Sequence, residues 1–188
     1  LLIKGSHNTE NALVAASCAL ALGVAPERVA ASLRSFAPLE HRIEPCGSIA
    51  GVSCYNDSKA TNVDATLKAF SAFDAVRPIV LLGGHDKGTD LAPLVKAARE
   101  HAKAVVIFGE ARERFLSAFG GESAGEGGEL AVIAANHMED ALDAGLATAV
   151  PGDVLLLSPA CSSFDEFTCY EQRGDVFKQL VAVRSARA

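Results

Sequence analysis

The sequence has no CxxC pair, and its cysteines (Cys18, Cys46, Cys54, Cys161 and Cys169) are odd in number. That argues against a disulfide framework and against a cysteine-based metal site. Cys18 lies in an apolar helical run and Cys54 in an apolar strand run, so buried, reduced thiols of a cytoplasmic protein are expected. His7, His41, His85, His101 and His137 lack metal-ligand spacing, so no structural zinc is expected. There is no run of Lys or Arg, and the net charge is −6. A nucleic-acid-binding surface is therefore not expected, although a local cationic pocket is compatible with the sequence. The longest apolar stretch, residues 12–24, is too short to span a bilayer and has no basic leader, so neither a membrane span nor a signal peptide is expected. An initiator Met is also missing. The opening Leu1-Leu2-Ile3-Lys4-Gly5 reads as a strand running into a turn, as in a piece of a longer protein.

What is present is apolar and regular. Hydrophobic residues make up 49% and charged residues 21% of the 188 positions, enough for one core of ordinary domain size and a little more. Residues 11–22 are apolar nearly all round, which predicts a buried helix ended by Gly23. Pro26 opens a second helix reaching Phe36. The pattern breaks at Ala37-Pro38-Leu39-Glu40, and a domain boundary is placed near Pro38. Two short strands follow, near residues 42–46 and 51–55, joined around Gly47. Helices are then expected at 62–73, 91–102, 111–119, 138–149 and 164–183. Strands are expected at 79–82, 104–108, 130–134 and 154–157, and a Gly/Ser/Glu-rich loop at 120–128. Ile79-Val80-Leu81-Leu82 and Val154-Leu155-Leu156-Leu157 are apolar at every position, the mark of strands covered on both faces. The expected fold is α/β: a Rossmann-like, mostly parallel sheet between helices.

Ligands in such sheets bind where strands end, so the segments after strands matter most. Asn56-Asp57-Ser58-Lys59-Ala60-Thr61-Asn62 is polar at all positions but one, and Thr61 with Asp64 has capping-box spacing. Gly83-Gly84-His85-Asp86-Lys87-Gly88-Thr89-Asp90 has glycines that let backbone approach a ligand, and Lys87 stands before a helix start that Thr89 or Asp90 can cap. By itself that loop is equally well an ordinary strand-to-helix turn. Ser158-Pro159-Ala160-Cys161-Ser162-Ser163-Phe164 is hydroxyl-rich, with Ser163 and Glu166 at capping-box spacing; Cys161 has no His partner in sequence and reads as a packing thiol. If these loops share one sheet edge, Lys59, Thr61, Lys87 and Ser163 converge on a pocket for a small dicarboxylate or a phosphorylated compound.

Together these strings resemble the D-glutamate-adding Mur ligase family. Residues 56–62 carry its specific signature. Ser158-Pro159-Ala160-Cys161-Ser162-Ser163-Phe164-Asp165 and Glu171-Gln172-Arg173-Gly174 also match. Gly5-Ser6-His7-Asn8-Thr9-Glu10-Asn11 is similar to the Gly-x-His-Asn-x-x-Asn that closes the family's central ATPase domain. Leu39-Glu40-His41-Arg42 resembles the entry to its C-terminal domain. The resemblance covers the whole chain in order. It implies that residues 1–37 are the helical tail of the central ATP-binding domain and 38–188 the C-terminal, Rossmann-like domain. It implies an ATP-dependent ligase that activates UDP-N-acetylmuramoyl-L-alanine as an acyl phosphate and joins D-glutamate to it, making a cytoplasmic peptidoglycan precursor. Asn8, Asn11, Arg42, Asp57 and Lys59 then match nucleotide-binding positions, with Asn8 equally well a helix cap. Thr61, Lys87, Ser163, Phe164 and Tyr170 match D-glutamate positions, Lys87 holding a carboxylate.

The sequence departs from the family chiefly by absence. It contains no Gly-x-x-x-x-Gly-Lys-[Ser/Thr] phosphate loop, and the family's magnesium ligands and UDP-sugar domain are missing too. No residue of this chain is expected to be catalytic or to bind metal. ATP and Mg2+ are expected of the full-length enzyme and none tightly bound here; this segment alone is expected to be inactive and to pack against its missing domains. Two other readings stay open: a sister Mur or folylpolyglutamate ligase with another amino acid, and a non-catalytic Rossmann-type binding module. Against the latter, no Gly-x-Gly-x-x-Gly follows a strand.

Overall fold

The computed structural model describes residues 6–36, 39–73, 76–123, 125 and 129–187. The strand expected at the start, the boundary near Pro38 and part of the 120–128 loop lie outside the described residues. A helical pair comes first, α1 (Ser6–Ala21) and α2 (Pro26–Ser35), packed on each other. A six-stranded sheet follows: β1 (Glu44–Ile49), β2 (Val52–Asn56), β3 (Ile79–Gly83), β4 (Ala104–Phe108), β5 (Ala131–Ala134) and β6 (Val154–Ala160). Its order is β1-β2-β6-β3-β4-β5; β1 is antiparallel to β2 and the other neighbours are parallel. The expected mostly parallel α/β fold is borne out.

The continuous apolar runs explain the layers. Alternate residues of one strand point to opposite faces. Val80, Leu82, Val105, Ile107 and Leu156 meet one helical layer, formed by α3 (Val63–Phe70), α4 (Ala92–His101) and α5 (Arg112–Phe119). Ile79, Leu81, Val106, Leu155 and Leu157 meet the other, formed by α6 (Met138–Thr148) and α7 (Tyr170–Ser185). Each fully buried Leu, Ile or Phe there contributes about 1.5–3 kcal/mol. The chain adds β2, β3, β4 and β5 with helices on one face, then crosses by α6 to insert β6 between β2 and β3. The ends of β2, β6 and β3 thus stand side by side at the point where the winding reverses.

Four expectations are corrected. The helix at α1 is not buried: Leu13 and Val14 are each 64% exposed, and Cys18 is exposed with them. An all-apolar helix is covered only as far as neighbours reach, and α2 covers one side. The β1–β2 hairpin turns at Ala50-Gly51, both at positive φ (47° and 83°), rather than around Gly47. Paired positive φ values suit the twist of a two-residue hairpin, while Gly47 lies inside β1 next to a bulge. Asn62, not Thr61, caps α3, its side chain accepting from the Ala65 N–H. The last helix starts at Tyr170, not Phe164. Residues 163–169 instead wrap over the sheet edge, where the Asp165 carboxylate accepts from Glu110 N–H and Glu166 from Met138 N–H.

Candidate substrate site

The loop after β2 is fastened from within. The Asp57 carboxylate accepts from the Ser158 hydroxyl at 2.8 Å and from the Ile43 N–H at 3.2 Å. Burial pushes its pKa up to about 7, against the opposing pull of Ser158, Ile43 and Arg42. Asn56 Oδ1 accepts from Ser58 N–H, and its amide nitrogen contacts Glu44 and the ring of His41. His41 is buried at φ 61°, and Lys59 N–H donates to its carbonyl.

Arg173, on the first turn of α7, is wholly buried. Its guanidinium donates to Ser58 Oγ (2.9 Å), Ser58 O (2.8 Å), Cys161 O (3.1 Å) and Ser162 O (3.1 Å). One fork therefore ties the loop after β2 to the loop after β6. The Ser58 hydroxyl in turn donates to Tyr170 O at 2.8 Å. Burial lowers the Arg173 pKa to about 10, which still leaves it charged near neutrality. Beside it, Gly174 gives α7 room: a Cβ there would stand 2.2 Å from His41 Nδ1.

The loop after β3 joins the same edge. His85 N–H donates to Ser162 O at 2.9 Å and Ser162 Oγ to His85 O at 3.3 Å. Gly84 allows this contact, since a Cβ would lie 2.3 Å from Ser162 O. Lys87 is exposed, and its ammonium donates to Thr61 O at 3.4 Å. The N-cap position of α4 is Leu91 rather than the expected Thr89 or Asp90, and Asp90, one residue earlier, accepts from Ala92 N–H at 3.0 Å. The Lys59 ammonium stands over the Tyr170 ring, 5.4 Å from its centre.

The structure thus joins Lys87 to the Thr61 backbone, and Lys59 to Tyr170. Ser163 is buried next to the residue that holds His85, and Phe164 is 69% exposed. Arg42 is exposed at the entrance to β1, while Asp57 beside it is turned inward. Asn8 and Asn11 lie on α1, outside the sheet unit. Two exposed ammonium groups, those of Lys59 and Lys87, therefore stand at this edge over buried, hydrogen-bonded loops, and their charge suits an anion.

A family model described as "Mur ligase, glutamate ligase domain" matches residues 41–161, which include the loops after β2 and β3. The chain belongs to the Mur ligase family. It is 44% identical over 183 residues to the UDP-N-acetylmuramoylalanine--D-glutamate ligase of Bacillus cytotoxicus, covering 96% of this chain and 39% of that protein. To the ligase of the same name from Solibacter usitatus it is 44% identical over 179 residues, covering 95% and 39%. The chain therefore spans about two fifths of the length of the curated relatives it matches. In fold it is similar to Mycobacterium tuberculosis folylpolyglutamate synthase complexed with ADP and AMPPCP (TM-score 0.67, 18% identity, 94% of this chain and 41% of that one). It is likewise similar to MurF from Acinetobacter baumannii (TM-score 0.61, 19% identity, 97% and 38%).

In this Mur ligase domain Arg173 has a role that the sequence does not assign to it, although the Glu171-Gln172-Arg173-Gly174 string is part of the family resemblance. An arginine followed by glycine within a helix that faces a sheet was the available signal. A magnesium ion does not fit the groups present. Among the described residues, the one acidic cluster with ligand geometry is Glu40, His41 and Asp175. The Lys178 ammonium already lies 2.8 Å from Glu40 and 3.3 Å from Asp175, and the His41 ring is bonded to Asn56. That cluster offers no oxygen cage for a hard cation. Arg42 and Lys59 suit the charge of a nucleotide's phosphates, but Asp57 has both carboxylate oxygens engaged. Among the described residues, no helix is long and apolar enough to cross a membrane.

Proposed function

We propose that this chain is the C-terminal part of a cytoplasmic ligase that joins D-glutamate to UDP-N-acetylmuramoyl-L-alanine at the expense of ATP. The observation that carries this reading is the exposed Lys87 ammonium, brought to the Thr61 backbone at the edge where the ends of β2, β6 and β3 meet. The 44% identity to ligases of that name supports D-glutamate over the amino acids of sister enzymes.

On this reading residues 38–188 supply the amino-acid site, and residues 1–37 belong to a central ATP-binding domain. Lys87 holds a carboxylate of D-glutamate. Thr61 and Ser163 donate hydrogen bonds, the backbone at Phe164 adds another contact, and Tyr170 closes one wall. Arg42 and Lys59 face the nucleotide, Asp57 fixes the loop between them, and Asn8 and Asn11 reach the base from α1. ATP, with Mg2+ held elsewhere in the whole enzyme, converts the muramoyl-alanine carboxylate to an acyl phosphate. This chain's part is to fix the amine of D-glutamate toward the acyl carbon, an orientation effect that needs no catalytic side chain here. The exposed apolar side of α1 is where the missing part of the central domain packs.

The test is ADP release by the full-length protein with UDP-N-acetylmuramoyl-L-alanine, ATP and one amino acid at a time. D-glutamate should support turnover, and L-glutamate, L-lysine and L-alanine should not. Turnover with another amino acid and not with D-glutamate sinks the reading. Lys87→Ala should raise the KM for D-glutamate by about a hundredfold, the effect of losing a charge-assisted hydrogen bond in a water-poor site, with the KM for ATP little changed.

A further inference from the structure

Lys87 sits directly beside an acid, Asp86. A free carboxylate one residue away is the best-placed rival to any substrate carboxylate for that ammonium. In the structure the rival is occupied. Arg114, on α5, takes both oxygens of Asp86, at 2.9 Å and 3.0 Å. The side chain of Asp86 is only 19% exposed as a result, and that of Arg114 is 40% exposed. Gly88 N–H donates to the same carboxylate at 2.9 Å, and the other arm of Arg114 donates to Thr89 O.

The remaining acids of this rim are engaged too. His85 Nδ1 lies 2.8 Å from a Glu110 oxygen, and that pairing raises the His85 pKa, with Asp165 and Asp86 adding to the effect. Asp165 accepts from Glu110 N–H and Asp90 from Ala92 N–H. Positions 85, 86, 88 and 89 are therefore all tied down around Lys87. Among the described residues Lys87 has no acidic side chain within ion-pair distance.

We propose that Arg114 is a positioning residue for Lys87: by holding Asp86 in a two-oxygen pair, it keeps that carboxylate off the ammonium and leaves the ammonium for the substrate. The proposal rests on reading Lys87 as the group that holds D-glutamate. Arg114 touches neither substrate nor the reacting atoms, and its effect is electrostatic as much as mechanical. A bidentate guanidinium–carboxylate pair is the geometry suited to this task, because it fixes both oxygens at once.

Three variants of the full-length enzyme separate the possibilities: Arg114→Gln, Asp86→Asn, and the two combined. Arg114→Gln frees the carboxylate and should raise the KM for D-glutamate about fivefold, with kcat and the KM for ATP within about twofold of wild type. Asp86→Asn removes the rival and keeps an oxygen for Gly88 N–H, so its KM should stay near wild type. The double variant should return close to wild type. An unchanged KM in Arg114→Gln overturns the proposal. So does an Asp86→Asn variant as impaired as Arg114→Gln, or a double variant that is not restored, since either result makes the pair a simple brace. A wild-type enzyme that D-glutamate does not saturate sinks the functional reading, and this proposal with it. A saturable enzyme indifferent to Arg114→Gln sinks this proposal alone.

Discussion

Two arginines fasten the loops of this site, one from inside and one from outside. Arg173 is wholly buried and spreads its donors over backbone oxygens of two loops. Arg114 lies at the surface and binds one side chain and one carbonyl. Their chemistry is the same and their solvation opposite. An interior guanidinium has lost its water, so every carbonyl it serves depends on it. A surface one has water as an alternative partner, so its removal costs the fold little. The interior arginine should govern whether the edge exists, and the surface arginine how the edge is charged.

The comparison breaks most readily at Arg173. Arg173→Ala should cost about 3–5 kcal/mol in urea denaturation, because buried carbonyls at 58, 161 and 162 lose their donors. Arg173→Lys should recover little of this, as a single ammonium cannot reproduce the fork. Gly174→Ala should cost about 1–3 kcal/mol on the same measurement, by forcing His41 away from α7.

Asp57 sharpens the contrast through pH. Its pKa is raised to about 7 in the fold, against an ordinary value near 4, so the folded state holds a proton that the unfolded chain releases. Stability from this group is therefore complete below about pH 4 and lost as pH rises through about 7. Wild type should lose about 4 kcal/mol across that window at about 1.4 kcal/mol per pKa unit, and Asp57→Asn should flatten the profile. A profile unchanged by Asp57→Asn contradicts the burial of that carboxylate. The smallest effect should be that of Arg114→Gln on stability, below about 1 kcal/mol, even where substrate affinity falls.

The sheet was legible from the sequence because covered parallel strands are apolar at every position, as at 79–82 and 154–157. The three strand-end loops were legible for a related reason: a dense polar string directly after an apolar strand breaks the pattern of the covered sheet. Other features depend on partners remote in sequence. Arg173 meets Ser58 across 115 positions, and apart from the glycine that follows it nothing near residue 173 announces that the side chain is buried. The start of the last helix was misplaced because Ser163 and Glu166 have the spacing of a local cap, while Asp165 and Glu166 are spent on α5 and α6. Thr61 has the same local spacing, and its neighbour Asn62 performs the capping function. The cover of α1 could not be read from apolar content, since a hydrophobic stripe records what a helix is able to pack against and not what is beside it.

The exposed thiol on α1 turns that last point into a practical handle. Cys54 and Cys161 are held well above the usual thiol range by burial, at about 11 and 12, and Cys46 likewise at about 12. A maleimide dye at neutral pH should therefore find Cys18 ahead of those three. Its labelling rate becomes a gauge of occupancy: rapid in this segment alone, and slowed wherever another stretch of protein settles over the helix.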